Sequence, residues 1–322
     1  MARSLLGMVV PNILARKTLR GQEAVILEYA TADNKDFQVQ QFADFFHEKS
    51  PKEIVTLISK VFGNVLMPFF KSQKISHKAA KNLYFLPRLH QGEYDKLSSI
   101  ANQSKYIQDG EFVIQGISQS FPNPGKFFNP DRQKTKLFHH YHSFFLERRP
   151  VGLCIAHGDL NPRNLLIDGI GSIFIIDFSE MKKDGARFLD FVRLEAEVKF
   201  KLTKLAPSSL ESYLILDYML SKVTSLENLI GIRDLPLDIG AKKMVMAVCE
   251  IRRNAYSICA PSLSYDEFLT EYYLGLLAQS LRISLFDDYL SDTQQEFAVI
   301  SAGSLIRRLE VLFINQNEIK SG

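Results

Sequence analysis

The chain has no tryptophan and only three cysteines, Cys154, Cys249 and Cys259, with no CxxC spacing among them. A disulfide framework or a cysteine-built zinc site needs paired thiols, so neither is expected, and burial is the role left for these residues. No apolar run reaches the roughly 18–20 residues that cross a bilayer. The N-terminus also lacks a signal-type apolar core with a cleavage site, so a cytoplasmic protein with no membrane span is expected. The excess of one sign of charge is small, +3, too little for the concentrated basic face that nucleic acid requires. Repeats, heptads and low-complexity segments are missing too. What is there is an ordinary globular composition, 46% hydrophobic and 23% charged, on a chain long enough for one large domain or two.

Chemistry is concentrated in one stretch. Cys154-Ile155-Ala156 is an apolar run into His157-Gly158-Asp159-Leu160-Asn161-Pro162-Arg163-Asn164, followed by apolar Leu165-Leu166-Ile167 and by Ser172-Ile173-Phe174-Ile175-Ile176-Asp177-Phe178-Ser179. Leu165–Ile167 and Ser172–Ile176 read as two strands turning at Asp168-Gly169. Asn164 on entry and Asp177 on exit then fall at the same end of the hairpin. Phosphoryl transfer needs a group to receive a hydroxyl proton and oxygen ligands to hold magnesium against phosphates. Asp159 suits the first task, Asn164 and Asp177 the second, and Leu166 and Ile176 would floor the adenine side. The same residues also fit an Asp-Asn turn between ordinary strands, with His157 packed in the core.

His157-Gly158-Asp159-Leu160-Asn161-Pro162-Arg163-Asn164 resembles the catalytic loop of the protein-kinase-like fold, in the His-Gly-Asp form of aminoglycoside and choline phosphotransferases. Ile176-Asp177-Phe178-Ser179 resembles that family's metal-binding Asp-Phe-Gly position, with Ser for Gly. Asp190-Phe191-Val192-Arg193-Leu194-Glu195-Ala196-Glu197 is similar to a bacterial branch described as ternary-complex-associated phosphotransferase domains. The resemblance implies an ATP- or GTP- and magnesium-dependent phosphotransferase acting on a hydroxyl acceptor. Asp159 would be the base, His157 a structural member of the catalytic loop, Asn164 and Asp177 the metal ligands, and Asp190 a brace for the loop backbone. A catalytically impaired nucleotide-sensing or scaffolding module is the alternative. Leu27-Glu28-Tyr29-Ala30 resembles the hinge whose backbone, at Glu28 and Ala30, hydrogen-bonds adenine; an edge hairpin accounts for it equally.

The resemblance implies an α+β fold: residues 1–30 a remnant of the nucleotide lobe with its hinge, residues 31–322 a helical C-lobe. Residues 1–27 hold no Gly-rich loop and no strand Lys of the family kind, Lys17 being read in a loop at 16–22 between strands 5–14 and 24–28. An upstream segment or a partner protein completing the lobe is therefore expected, or catalysis has been given up.

Elsewhere the apolar spacing predicts helices over 36–49 and from Ser50-Pro51 through Phe69, helical pieces over 76–101, and a helix over 129–148 carrying His139, His140 and His142. A hairpin is expected over 105–121, turning at Asp109-Gly110 and ended by Phe121-Pro122-Asn123-Pro124-Gly125; it reads either as a substrate or partner contact or as a surface ornament. Residues 181–185 read as a short mobile loop. A helix from Asp190 to about Leu205 would carry Arg193, Glu195, Glu197 and Lys199 as surface pairs. Helices over 209–224, 238–259, 264–286 and 291–315, the last two opened by Ser-x-x-Glu/Gln capping boxes, complete the lobe, with a frayed tail after them.

Overall fold

The computed structural model describes residues 13–19, 22–27, 39–79, 91–128, 148–286 and 289–321. The expected adenine contacts Glu28 and Ala30, and the helix with His139, His140 and His142, lie outside these residues. The architecture is α+β, with short sheets set among helices.

The N-terminal strands are β1 (Ile13–Leu19) and β2 (Gln22–Leu27), an antiparallel pair with Leu19 opposite Gln22. The polar segment 16–22, expected as a loop, is mostly strand, with Lys17 opposite Ala24. A two-stranded ribbon tolerates polar residues that a buried sheet would not, so their polarity did not mark a loop.

β3 (Gln40–Gln41) leads into α1 (Phe42–Glu48) and α2 (Pro51–Lys60). The Ser50 hydroxyl accepts from the Glu53 N–H at 3.4 Å while the Ser50 N–H donates to Glu53 Oε2 at 2.9 Å, the reciprocal cap expected at this start. A π-helical turn over Val61–Val65 and the short α3 (Met67–Phe70) finish that helical face, which buries Ile54, Ile58, Val61, Phe62, Leu66 and Phe69.

Residues 76–79, expected as helical, lie in β4 (Lys74–Ala79), followed after an undescribed interval by α4 (Gln91–Gln103). The composition of β4 does not mark it as a strand; it is one because it pairs with β8 (Arg148–Ala156), Ala79 opposite Arg148 and Lys74 opposite Leu153. Pro150, read as a helix stop, lies within β8 opposite His77. The 105–121 hairpin does turn at Asp109-Gly110, both at positive φ (50° and 85°), the geometry of a two-residue hairpin turn. Its strands β5 (Ile107–Gln108) and β6 (Glu111–Phe112) gain a third, β7 (Phe121–Pro122), from the segment expected to end the sheet, before Asn123 caps α5 (Pro124–Phe127).

Beyond the loop at 157–164 come β9 (Leu165–Ile167) and β10 (Ile173–Ile175), the expected hairpin, extended on its other edge by β3. Residues 181–185, expected as a mobile loop, fall from Lys182 onward in β11 (Lys182–Ala186), hydrogen-bonded to β8. Gly185 makes this possible, since a Cβ there would come within 2.6 Å of the Ala156 methyl carbon.

Helix α6 (Leu189–Glu197), continued by a π-helical turn over Val198–Leu202, is the axis of the domain. Phe191 stacks on Phe62 and Phe70, at 4.1 and 4.9 Å between ring centroids. Every residue from 189 to 199 is buried, charged ones included, so the expected surface pairs are interior ones. Glu195 accepts from Arg252 Nε and Nη2 at 3.0 and 2.6 Å and from the Tyr272 hydroxyl at 2.7 Å. Lys199 pairs with Asp217 at 2.5 Å and donates to the Ser301 hydroxyl at 3.1 Å. Around this axis pack α7 (Leu210–Lys222), α8 (Leu226–Ile232), α9 (Ile239–Asn254), α10 (Tyr265–Phe286) and α11 (Asp292–Ser321). The capping boxes at Ser264 and Ser291 both form. α11 continues through the segment expected as a frayed tail. It also covers the small sheet: a Cβ on Gly303 would lie 2.5 Å from the Pro122 carbonyl oxygen, and Phe112 and Phe121 are buried beside it. No helix among the described residues is long and apolar enough to cross a membrane.

Candidate active site

The loop between β8 and β9 is held by backbone bonds before any of its side chains can act. Gly158 has φ +89°, and a Cβ there would stand 2.1 Å from the Glu180 carbonyl oxygen, so only glycine fits between His157 and Asp159. The His157 and Gly158 N–H groups donate to the two oxygens of Asp190 at 2.8 and 2.9 Å. Asp190 is the second residue of α6 and is buried. Burial raises its carboxyl above the usual range, outweighing attraction to His157 and the two N–H bonds.

The His157 ring is fully buried, its Nε2 donating to the Ile176 carbonyl at 2.9 Å and its edge against Phe178 at 4.9 Å between centroids. A carbonyl only accepts, so Nε2 carries the proton. His157 thus ties the loop to the end of β10.

Asp159 points the other way and is partly exposed, 25% of its side chain. Asn161 Nδ2 donates to Asp159 Oδ2 at 2.9 Å, and Arg193 Nη2 stands 3.1 Å from Asp159 Oδ1. Asn164 spends its Nδ2 on the Asp159 backbone carbonyl at 2.9 Å, which leaves its Oδ1 as the acceptor for a cation. The Ile176 N–H donates to the Asn164 carbonyl at 3.0 Å, so the hairpin does bring Asn164 and Asp177 to one end.

Asp177 is exposed and left-handed, φ 58° and ψ 71°. Non-glycine residues reach that region only at a cost, and such strain collects at functional sites. Its Oδ1 accepts from the Ser179 hydroxyl at 2.6 Å, so Ser179 fixes the carboxylate's direction. On the hairpin, Leu165, Ile167, Ile173 and Ile175 face the core, while Leu166, Phe174 and Ile176 form a half-buried outer face. Phe174 joins the two apolar residues expected there.

Arg193 was not anticipated at the site. Besides Asp159 it reaches Glu197 Oε1 at 3.0 Å, which Lys201 Nζ also approaches at 3.0 Å. A signal was present in the sequence. At 100° per residue the charges at 190, 193 and 197 fall on one side of the helix and those at 195 and 199 on the opposite side, with apolar residues between them, so no single side could be the wet one. Arg282 lies in the same charged neighbourhood; burial and then Arg193 lower its pKa, opposed by Asp159 and Glu197. Beside the loop a cavity of about 450 Å³ is lined by Asn161, Arg163, Arg193, Glu197, Lys201 and Tyr289, among others.

Among the described residues no three His, Cys, Asp or Glu side chains group as metal ligands. The donors that remain, an amide oxygen and an exposed carboxylate at one hairpin end, are hard oxygens of the kind magnesium takes when phosphates and water complete its shell. They fit that ion better than a softer metal.

The sequence model of a family described as Ternary complex associated domain 9 matches residues 119–279, which hold the loop, the hairpin and α6 through most of α10. No curated protein matches the chain.

Proposed function

We propose that this chain, which belongs to the Ternary complex associated domain 9 family, is a kinase-like phosphotransferase that moves the γ-phosphoryl group of ATP or GTP to a hydroxyl acceptor. The observation that carries the reading is the convergence of Asn164 and Asp177 at the hairpin end, with Asn164 also holding the backbone of Asp159. Asp190 clamps the loop from below, as the kinase-like resemblance implies.

In this reading the acceptor oxygen attacks the γ-phosphorus, the new O–P bond forms as the bond to the bridging oxygen breaks, and the nucleoside diphosphate leaves. The hydroxyl proton passes to Asp159, for which an ordinary carboxylate suffices late in a loose transition state. Asn164 Oδ1 and the Asp177 carboxylate would hold magnesium, which when bound neutralises the phosphate charge. Leu166, Phe174 and Ile176 offer an apolar floor to the base, with Glu28 and Ala30 proposed as its backbone contacts.

A second reading is supported by the hold of Arg193 and Asn161 on both oxygens of Asp159. The chain would then be a nucleotide-sensing or scaffolding module. The family's printed name speaks of a ternary complex, and in either reading we place the chain in a multi-protein assembly in the cytoplasm, where a partner protein or an upstream segment completes the nucleotide lobe.

ATP turnover with magnesium, compared for wild type, Asp159→Asn and Asp177→Ala, tests the first reading. Turnover should fall in both variants. Equal rates in all three reject catalysis by this chain, and magnesium-dependent nucleotide binding lost only in Asp177→Ala would then favour the sensor.

A further inference from the structure

The acceptor remains to be described by its chemistry, and the cavity beside Asp159 constrains it. Two of its lining side chains, Asn161 and Arg193, are those that hold the Asp159 oxygens, so the cavity adjoins the proposed base through them. Its lining carries three cationic side chains, Arg163, Arg193 and Lys201, against the single carboxylate of Glu197. Arg193 is buried and engaged with Asp159 and Glu197, and Lys201 shares Glu197 with it. Arg163 is exposed and lies over the Tyr289 ring, 5.8 Å from its centroid. Even with Asp159 counted, the wall keeps a positive excess.

A polycation such as an aminosugar would meet like charge here, whereas an anion would meet cationic donors in the lining. The volume, about 450 Å³, is within the usual range for small-molecule sites.

Building on the phosphotransferase reading, we infer that the acceptor is a small hydroxyl compound bearing a carboxylate or phosphate, its anionic group lodged between Arg163 and Lys201 and its hydroxyl directed to Asp159. Tyr289 supplies a ring face and a hydroxyl at the rim. The transferred group and the proton move as described above, so the anion is a handle and takes no part in bond making.

Calorimetric titration of the whole chain with gluconate, glucose and glucosamine, three polyhydroxy compounds of similar size and different charge, tests this. Gluconate should bind at millimolar concentration or better and the other two should not. Arg163→Gln and Lys201→Gln should each weaken gluconate about tenfold, as expected for losing one charge-assisted contact. Failure of gluconate to bind, equal binding of glucose, tighter binding of glucosamine, or unchanged affinity in both variants would each overturn the inference. Titration of the same protein with magnesium and ATP is a separate readout. Gluconate binding without nucleotide binding would retire phosphotransfer by this chain alone, and with it the acceptor role in the isolated chain, while leaving an anion cavity. Nucleotide binding without gluconate binding would retire only the anionic acceptor.

Discussion

Arg193 and Asp159, from the central helix and the loop it supports, stand 3.1 Å apart, and the same guanidinium nitrogen lies 3.0 Å from Glu197. One cation therefore serves two carboxylates at the edge of the interior. Removing one partner of a buried ion pair leaves an uncompensated charge and costs about 3–5 kcal/mol. Arg193→Met should lower the free energy of unfolding by about 3 kcal/mol, the partial exposure of Asp159 moderating the loss. The double variant Arg193→Met with Glu197→Gln should recover part of it, because one of the two carboxylates that shared Arg193 is gone, Lys201 alone having been left to pair with it. Urea denaturation of the four proteins gives the coupling energy; strict additivity would contradict a shared charge cluster.

Asp190 gives a pH signature. Its folded pKa is raised by burial, so the folded state holds a proton that the unfolded chain has released. The contribution is fully present below the ordinary carboxylate range and is lost as pH rises through the raised value. In Asp190→Asn the amide must turn an NH₂ toward one of the two backbone N–H groups, at about 2–3 kcal/mol. The gap between wild type and this variant should thus be widest in acid and narrow toward neutrality. Urea midpoints measured across that pH range decide it; a gap that widens with rising pH would mean that the N–H bonds outweigh burial.

Gly158→Ala isolates backbone strain from chemistry, since alanine adds one methyl and no charge. The left-handed φ alone costs about 1–2 kcal/mol for an L residue, and the collision with the Glu180 carbonyl is with backbone, which cannot swing aside. A loss of at least about 2 kcal/mol is expected by thermal or urea unfolding. Wild-type stability in this variant would show that the loop relaxes freely.

Local signals were legible where they concerned neighbours in the chain. The capping residues Ser50, Ser264 and Ser291, the turn at Asp109-Gly110 and the hairpin carrying Asn164 and Asp177 are contacts within a few residues, and their chemistry reads directly. What was misread depends on distant partners. β4 and β11 are strands because β8 lies between them, and neither segment shows that from its own composition. The charges of α6 look solvated until Asp159, Arg252, Tyr272 and Asp217 are brought against them from the loop and three other helices. Arg193 was missed at the site for the same reason.

Asp177 allows stability and function to be moved in opposite directions. Its φ of 58° is one that glycine adopts freely and alanine does not. Asp177→Ala keeps the strain and loses the bond from the Ser179 hydroxyl, whereas Asp177→Gly loses the bond and relieves the strain. The glycine variant should therefore be the more stable of the two by about 1 kcal/mol, the left-handed penalty less the entropy that glycine adds to the unfolded chain. Neither variant keeps the carboxylate, so both should lose magnesium-dependent nucleotide binding. Asp177→Asn retains an oxygen acceptor and tolerates the backbone, and it should fall between wild type and glycine in nucleotide affinity. Thermal unfolding with and without magnesium and nucleotide separates the two effects. If alanine matched glycine in stability, Asp177 would not be strained; if glycine kept the nucleotide response, the carboxylate would not be the ligand.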